Sequence, residues 1–160
     1  MTAGGSSILE VRQLLSVLAA RRRVAEAGTA FGQGAEAMAR TARSVVTVEL
    51  DPERAAIAAP RLEPHANVEL LVGDWRELLP PLGPFGLLFL DAGGFKHAPH
   101  ESEDVVLDLL EPGALLVLDD LTPDWPGFDP VREWAHDHPF LQAAEVLTTP
   151  TTSALVISRI

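Results

Sequence analysis

Short apolar runs alternate along this chain with patterns typical of helices, and this alternation constrains the fold more than any other feature. The runs lack a polar residue at every second position, which indicates strands buried on both faces of a parallel sheet. The intervening helices provide the crossovers that parallel strands require. Only a short turn at residues 150–152 separates the last two runs, so these should pair as an antiparallel hairpin. The predicted strands read RVAEA, VVTVEL, VELLVG, GLLFLD, ALLVLDD, AAEVLTT and SALVISRI.

The alternation predicts an α/β fold with a doubly wound, seven-stranded sheet that is mostly parallel and closes with an antiparallel hairpin. A length of 160 residues fits one domain that spans residues 1–160. One helix should precede the first strand, because Ser7 and Glu10 have the spacing of a capping box.

The composition excludes several classes of function. A net charge of -11 gives a surface that repels polyanions, which argues against DNA or RNA as a partner. The chain has no cysteine, so it has no disulfide, thiol nucleophile or thiolate metal site. No apolar run approaches the roughly 18 residues of a membrane span, and the first residues do not resemble a secretion signal. We expect a soluble, cytoplasmic protein that binds neither nucleic acid nor membrane.

The ends of the predicted parallel strands are acidic. In a doubly wound sheet, ligands bind outside the carboxyl ends of the strands, near the point where the strand order reverses. Because these ends meet at one edge of the sheet, we expect a group of carboxylates around a ligand there. The residues are Glu26, Glu49, Asp74, Asp91, Asp119 and Asp120.

A glycine-rich turn, GTAFGQG at residues 28–34, follows the first predicted strand and opens into a helix. Nucleotides commonly bind at such turns. A P-loop is excluded, because no lysine followed by Ser or Thr comes after the last glycine. The spacing also departs from the G-x-G-x-x-G of dinucleotide sites, although Glu49 lies 21 positions after Gly28, where a carboxylate would bind a ribose.

Glu26 distinguishes a dinucleotide from other adenosine ligands. A carboxylate beside the turn repels a pyrophosphate, whereas it suits a ligand with an ammonium and a sulfonium group. The segment EAGTAFG, residues 26–32, resembles the E-x-G-x-G-x-G signature of class I S-adenosylmethionine-dependent methyltransferases, with Ala30 in place of the middle glycine. The resemblance implies a Rossmann-like fold. It also implies that Glu26 meets the methionine part of the donor and that Glu49 binds its ribose.

The likeness to this family continues in order along nearly the whole chain. The segment NVELLVGDWRELL resembles the third motif, in which Asp74 would accept a hydrogen bond from the adenine amino group and Trp75 would lie against the ring. Asp74 is equally suited to capping a helix, and Trp75 to packing. The resemblance assigns to the donor Glu26, Gly28, Thr29, Ala30, Gly32, Glu49, Leu50, Gly73, Asp74, Trp75 and Asp91.

The segments FLDAGG and LLVLDDLTP most resemble the small-molecule O-methyltransferases of the catechol and caffeoyl-coenzyme A type. Those enzymes hold a metal with an Asp after the fourth strand and an Asp-Asn pair after the fifth. The resemblance implies a site for Mg²⁺, or for Mn²⁺ or Ca²⁺, at Asp91, Asp119 and Asp120, with Asp120 standing where Asn is expected. The alternative is that these carboxylates only cap turns or contact the donor. We expect Asp91 to be a catalytic residue, and Lys96 or His97 is the alternative base for the acceptor.

These features predict an enzyme that transfers a methyl group from S-adenosylmethionine to a small molecule, with oxygen as the expected acceptor atom. A nicotinamide-dependent reductase is a weaker alternative, because the glycine spacing is wrong and the chain has no tyrosine. A non-catalytic protein that binds S-adenosylmethionine or acts as a scaffold is a third interpretation. The chain also lacks the additional N-terminal helices of the enzymes it resembles, so the acceptor side should be open or closed by a second subunit in an isologous homodimer.

Overall fold

The structure, a computed structural model, describes residues 7–160. Its strands are β1 (Arg23–Ala27), β2 (Ser44–Glu49), β3 (Val68–Val72), β4 (Phe85–Leu90), β5 (Leu110–Leu121), β6 (Leu141–Thr149) and β7 (Thr152–Arg159). Its α-helices are α1 (Leu9–Leu18), α2 (Gln33–Ala39), α3 (Pro52–Leu62), α4 (Trp75–Leu78), α5 (Glu103–Leu109) and α6 (Pro130–Asp137). Two short 3₁₀ helices cover Pro80–Leu82 and Pro99–Glu101.

The seven strands form one sheet in the order β3-β2-β1-β4-β5-β7-β6. Strands β1 to β5 are parallel, and β7 pairs antiparallel with both β5 and β6. The strand order reverses between β1 and β4, which is where a doubly wound sheet opens its ligand crevice. The predicted fold is confirmed, including the C-terminal hairpin.

Strand β4 is the centre of the core, and every one of its residues is buried. Its side chains alternate between two apolar clusters: Leu88 packs on the face covered by α5 and α6, and Leu87 and Phe89 pack on the face covered by α1, α2 and α3. Burial on both faces explains why the strand sequence FGLLFL shows no polar alternation. The sheet is therefore held rigidly beneath the edge that carries the acidic strand ends.

Helix α1 begins differently from the prediction. Its N-cap residue is Ile8, and among residues 7–160 no side chain caps the helix and none pairs with the Ser7 hydroxyl. The capping box predicted from Ser7 and Glu10 is therefore wrong, and Ser7 Oγ faces a cavity instead. None of the helices within residues 7–160 has the length and apolar character needed to cross a membrane.

Candidate active site

A cavity of about 550 Å³ opens at the carboxyl ends of the parallel strands. This volume is within the range of small-molecule and cofactor sites. The residues predicted to bind the donor contribute much of its wall, and the loops after β4 and β5 contribute the rest. The predicted donor residues that line it are Gly28, Ala30, Glu49, Leu50, Gly73, Asp74, Trp75 and Asp91.

The glycine turn after β1 brings the backbone of β1 against that of β4. Gly28 has a φ of 97°, and a Cβ at this position would lie 2.8 Å from the backbone oxygen of Asp91. A side chain is therefore excluded by both the backbone conformation and the space. Ala30 adopts a φ of 49°, which costs an alanine about 1 kcal/mol, and Gly32 supports the turn from the side that packs on α3.

Glu49, at the end of β2, is buried and holds the glycine turn in place. Its Oε2 accepts a hydrogen bond of 2.8 Å from the Ala30 amide, and its Oε1 accepts one of 3.1 Å from the Asp51 amide. Each carboxylate oxygen can accept a further bond, and Glu49 lines the cavity. Two backbone amides thus position Glu49, and its carboxylate oxygens can still accept hydrogen bonds from a diol of the ligand.

Glu26, at the end of β1, is almost completely buried. Thr47 donates a hydrogen bond of 2.9 Å to its Oε1, and Thr29 lies 2.6 Å from the Thr47 hydroxyl. Its Oε2 has no partner among the described residues. Burial raises the pKa of Glu26 to about 8, against the opposing effect of the Thr47 hydrogen bond. The carboxyl is therefore mostly protonated at neutral pH until a cation pairs with it.

A second, small cavity adjoins the main one and ends at Glu26. Its walls include Thr29, Ser7 and Gly34. Residue 34 leaves this space open because it is a glycine: a Cβ there would lie 2.7 Å from Glu26 Oε2. Ser7 and Glu26 both line this cavity, and neither the Ser7 hydroxyl nor Glu26 Oε2, both buried, has a partner in the part of the chain that the structure describes. Two unsatisfied atoms on one cavity indicate a place for a polar ligand group.

Asp74, at the end of β3, has partners of its own within the protein. It caps α4 by accepting a hydrogen bond of 2.9 Å from the Arg76 amide, and the Arg76 guanidinium binds both of its carboxylate oxygens. These bonds hold the pKa of Asp74 below its usual range. Trp75 is half-buried at the cavity wall and also packs against the core. The capping role is thus present in the structure, and the adenine contact stays a prediction.

Asp91 follows β4, Asp119 lies near the end of β5 where its pairing with β7 is irregular, and both residues line the main cavity. Burial raises the pKa of Asp91, and the nearby Asp119 carboxylate raises it further. Burial likewise raises the pKa of Asp119, while the Lys96 ammonium opposes this effect. Lys96 donates a hydrogen bond of 2.8 Å to the backbone oxygen of Asp119. The pair is therefore a crowded acidic group with one cation beside it.

The structure does not support the predicted metal site. Within residues 7–160, no group of three or more His, Asp or Glu side chains is arranged to hold a metal ion. Asp119 is buried but its neighbour Asp120 is exposed, with a left-handed backbone at φ 59°. The three carboxylates therefore line one cavity without converging on a point, and the ammonium of Lys96 already lies beside two of them.

The two alternative bases are neighbours in one turn but differ in their surroundings. Lys96 is half-buried and donates a hydrogen bond to the Asp119 backbone oxygen, whereas His97 is exposed. Sequence reasoning missed Ser7, Thr47 and Glu101, which line or support the cavities. Thr47 faces Glu26 because the two residues pair in neighbouring strands, and no sequence signal reports such a cross-strand contact.

The sequence of residues 25–121, more than half of the chain, matches the model of a family described as a methyltransferase domain. No protein of curated function matches the sequence significantly. Solved structures resemble the fold closely. The cofactor-bound protein Rv0187 from MTB is 26% identical with a TM-score of 0.78, and the match covers 97% of this chain and 81% of that one.

Two further structures carry O-methyltransferase names. TomG from Streptomyces achromogenes, an O-methyltransferase in complex with SAM, is 26% identical with a TM-score of 0.71, over 94% of this chain and 78% of that one. The O-methyltransferase from Bacillus cereus, in complex with SAH, is 21% identical with a TM-score of 0.77, over 99% and 84%, and shows the shared fold. Together with the family match and the site at the carboxyl edge of the sheet, these findings identify the chain as a member of the methyltransferase domain family and as an S-adenosylmethionine-dependent methyltransferase.

Proposed function

We propose that this enzyme methylates an oxygen atom of a small molecule and that Asp91 removes the proton from the acceptor hydroxyl. The observation that carries the proposal is the position of Asp91 in the cavity wall, between the glycine turn and Asp119. Its backbone amide donates a hydrogen bond of 2.9 Å to Ala27, beside the donor turn, and its side chain lies next to Asp119. A base at this place reaches a hydroxyl that is aligned with the donor methyl group.

The reaction then balances without a further reactant. The hydroxyl proton passes to the Asp91 carboxylate, the oxygen attacks the methyl carbon of the sulfonium, and the carbon–sulfur bond breaks in line. S-adenosylhomocysteine and the methyl ether leave, and Asp91 returns its proton to water. Burial supports this role because it raises the pKa of Asp91 and makes the carboxylate a stronger base.

In this proposal the donor lies over β1, β2 and β3. Glu26 pairs with the donor ammonium, Glu49 accepts from the ribose hydroxyls, and Trp75 lies against the adenine. The glycine turn approaches the methionine part of the donor with its backbone. The support is that Glu49 and Trp75 line the main cavity, while Glu26 lines the small cavity, which shares the wall residues Gly28 and Asp91 with the main one.

Asp91→Asn tests the function directly, because Asn keeps the shape of the side chain and loses the base. We expect kcat for methyl transfer from labelled S-adenosylmethionine to fall about 10² to 10⁴-fold. Calorimetry should give a dissociation constant for S-adenosylhomocysteine close to that of the wild type. Unchanged kcat would remove Asp91 from the chemistry. Tight donor binding with no turnover of any acceptor would favour the non-catalytic alternative.

We also propose a homodimer, with β6 as the contact. This strand is at the edge of the sheet, and Val146 and Leu147 are exposed on it, the latter by 66%. An exposed edge with apolar side chains is suited to pairing with a second copy. Light scattering should report twice the monomer mass for the wild type and the monomer mass for Leu147→Glu. A monomeric wild type would contradict the dimer without affecting the proposed chemistry.

A further inference from the structure

We propose that the acceptor carries a protonated amine and that Asp119 and Asp120 bind this ammonium group. Resting on the proposed function, this assignment adds the class of substrate: a small hydroxylated cation. It concerns the half of the cavity over β4 and β5, which the donor leaves free.

The two halves of the cavity, over β2 and β3 and over β4 and β5, differ in the signs of the charges that line them. Over β2 and β3, the acidic lining residues Glu49 and Asp74 are accompanied by Arg54 and Arg76. Over β4 and β5, every charged lining residue among those described is acidic: Asp91, Glu101, Asp119 and Asp120. A cleft lined by one sign of charge attracts ligands of the opposite sign and repels those of its own.

Asp119 gives the second, independent observation. The residue lines the cavity but is only 5% exposed, and its Oδ1 has no hydrogen-bond partner within residues 7–160. Leaving a buried carboxylate oxygen unpaired costs free energy, so the site is incomplete without a donor from a ligand whenever the neighbouring Asp91 is in the carboxylate form that the proposed chemistry requires. The one lysine nearby does not supply that donor, because its hydrogen bond goes to the Asp119 backbone oxygen.

An ammonium group fits this site better than the other candidates. It offers three hydrogen-bond donors, so that it can satisfy Asp119 Oδ1 and still reach the exposed Asp120. A carboxylate or phosphate on the acceptor would face four carboxylates, with Lys96 as the cation beside them. A neutral acceptor would leave Asp119 Oδ1 unpaired, and a divalent ion lacks a convergent set of three ligands among the described residues.

Three probes that share one phenol test the assignment. They are 3-(2-aminoethyl)phenol, 3-(2-hydroxyethyl)phenol and 3-(3-hydroxyphenyl)propanoate. Their side chains are positively charged, neutral and negatively charged, in that order. An aromatic body is suitable because Ile8, Val11 and Phe95 line the same space. The readout is calorimetric binding of each probe to the complex of the full protein with S-adenosylhomocysteine, followed by methyl transfer from S-adenosylmethionine.

We expect the aminoethyl probe to bind at least about tenfold more tightly than the neutral probe, and the propanoate to bind most weakly. Asp120→Asn should reduce the preference for the amine by about tenfold. Asparagine tolerates the left-handed backbone at this position, so the variant should fold. Asp137→Asn, a matched change at the exposed end of α6, should leave the preference unchanged.

The failures can be told apart. If the neutral or anionic probe binds the S-adenosylhomocysteine complex as well as the amine does, the ammonium site is wrong and the proposed methyl transfer stands. The same conclusion follows if Asp120→Asn and Asp137→Asn behave alike. If magnesium abolishes amine binding and stabilises the complex by itself, the site belongs to a metal. If the protein binds no S-adenosylhomocysteine, the proposed function itself fails.

Discussion

The two halves of the cavity, which we propose bind the donor and the acceptor, hold their carboxylates in different ways. On the donor side, Glu49 accepts hydrogen bonds from two backbone amides, and Asp74 is bound by Arg76. On the acceptor side, Asp91 and Asp119 crowd each other, and Asp119 Oδ1 has no partner among the described residues. Apart from Glu26, the carboxylates of the donor side therefore have partners before any ligand binds, whereas Asp119 Oδ1 on the acceptor side has none in the described part of the chain.

This difference follows from where the partners come from. The amides that hold Glu49 belong to the turn and helix start next to it, so that local geometry completes the donor side. Asp91 follows β4 and Asp119 lies in β5, so the two buried carboxyl groups become neighbours only because these strands pair. Glu26 is an exception on the donor side, since its Oε2 is also unpaired. We infer that carboxylates left unpaired in this fold mark the places where a ligand supplies a cation.

The largest effect should come from Phe89, which lies beneath both halves. Phe89 is 2% exposed in β4, touches the Glu26 cavity and precedes Asp91 by two residues. Phe89→Ala should lower the free energy of unfolding by about 3 to 5 kcal/mol, measured by urea denaturation. Phe128→Ala, at a side chain that is 72% exposed, is the control and should change it by less than about 0.5 kcal/mol. Equal effects of the two variants would show that β4 is not the central support.

The next effect should separate the donor half from the acceptor half. Glu49→Ala should weaken binding of S-adenosylhomocysteine by about 1.5 to 3 kcal/mol, because hydrogen bonds to a charged group are lost. The exposed Glu63, after α3, gives the control Glu63→Ala, which should bind the ligand as the wild type does. Calorimetry at one pH decides the matter. Wild-type affinity in Glu49→Ala would contradict the assignment of the β2 end to the donor.

A pH dependence should reveal Glu26 as the unpaired group on the donor side. Its pKa rises from 4.5 to about 8 on folding, so the folded protein without ligand binds more protons than the unfolded chain between these values. Its contribution to the free energy of unfolding is therefore fully present below about pH 4.5 and is lost as the pH rises towards 8, by at most about 1.4 kcal/mol per pH unit.

Binding of the donor ammonium to the Glu26 carboxylate should show the opposite trend. Pairing with the cation lowers the pKa, so binding releases a proton and the affinity for S-adenosylhomocysteine should rise between pH 6 and 8, by at most about tenfold per pH unit. Glu26→Gln should flatten both dependences. Parallel pH profiles for the variant and the wild type would show that another group is responsible.

The smallest effect should come from the only lysine of the chain. Lys96 lowers the pKa values of both acceptor-side carboxyls, so Lys96→Met should raise them and shift the rise of kcat to higher pH. At a fixed neutral pH the loss should stay below about tenfold. Lys96→Arg keeps the charge and is the control. A pH profile that is identical in Lys96→Met and the wild type would assign Lys96 only a packing role.

The sequence by itself determined the order of strands and helices along the chain. It also determined the edge of the sheet at which the acidic residues lie. These features depend on local periodicity: the run FGLLFL is apolar throughout because both of its faces are covered, and the short turn at residues 150–152 forces the last strands to pair directly. The pattern of glycines also predicted the turn after β1. The structure gives the physical reason, because Gly28 approaches the backbone of Asp91 so closely that no side chain fits.

Only the tertiary structure decided which carboxylates meet and which have partners. The metal expected at Asp91, Asp119 and Asp120 required three side chains to converge, but the left-handed backbone of Asp120 and the position of Lys96 are set by contacts between distant segments. The capping box at Ser7 failed for the same reason, because its hydroxyl faces a cavity formed with Glu26 and Gly34. Distances between side chains of different strands, and the burial that shifts their pKa values, arise only when the sheet is assembled.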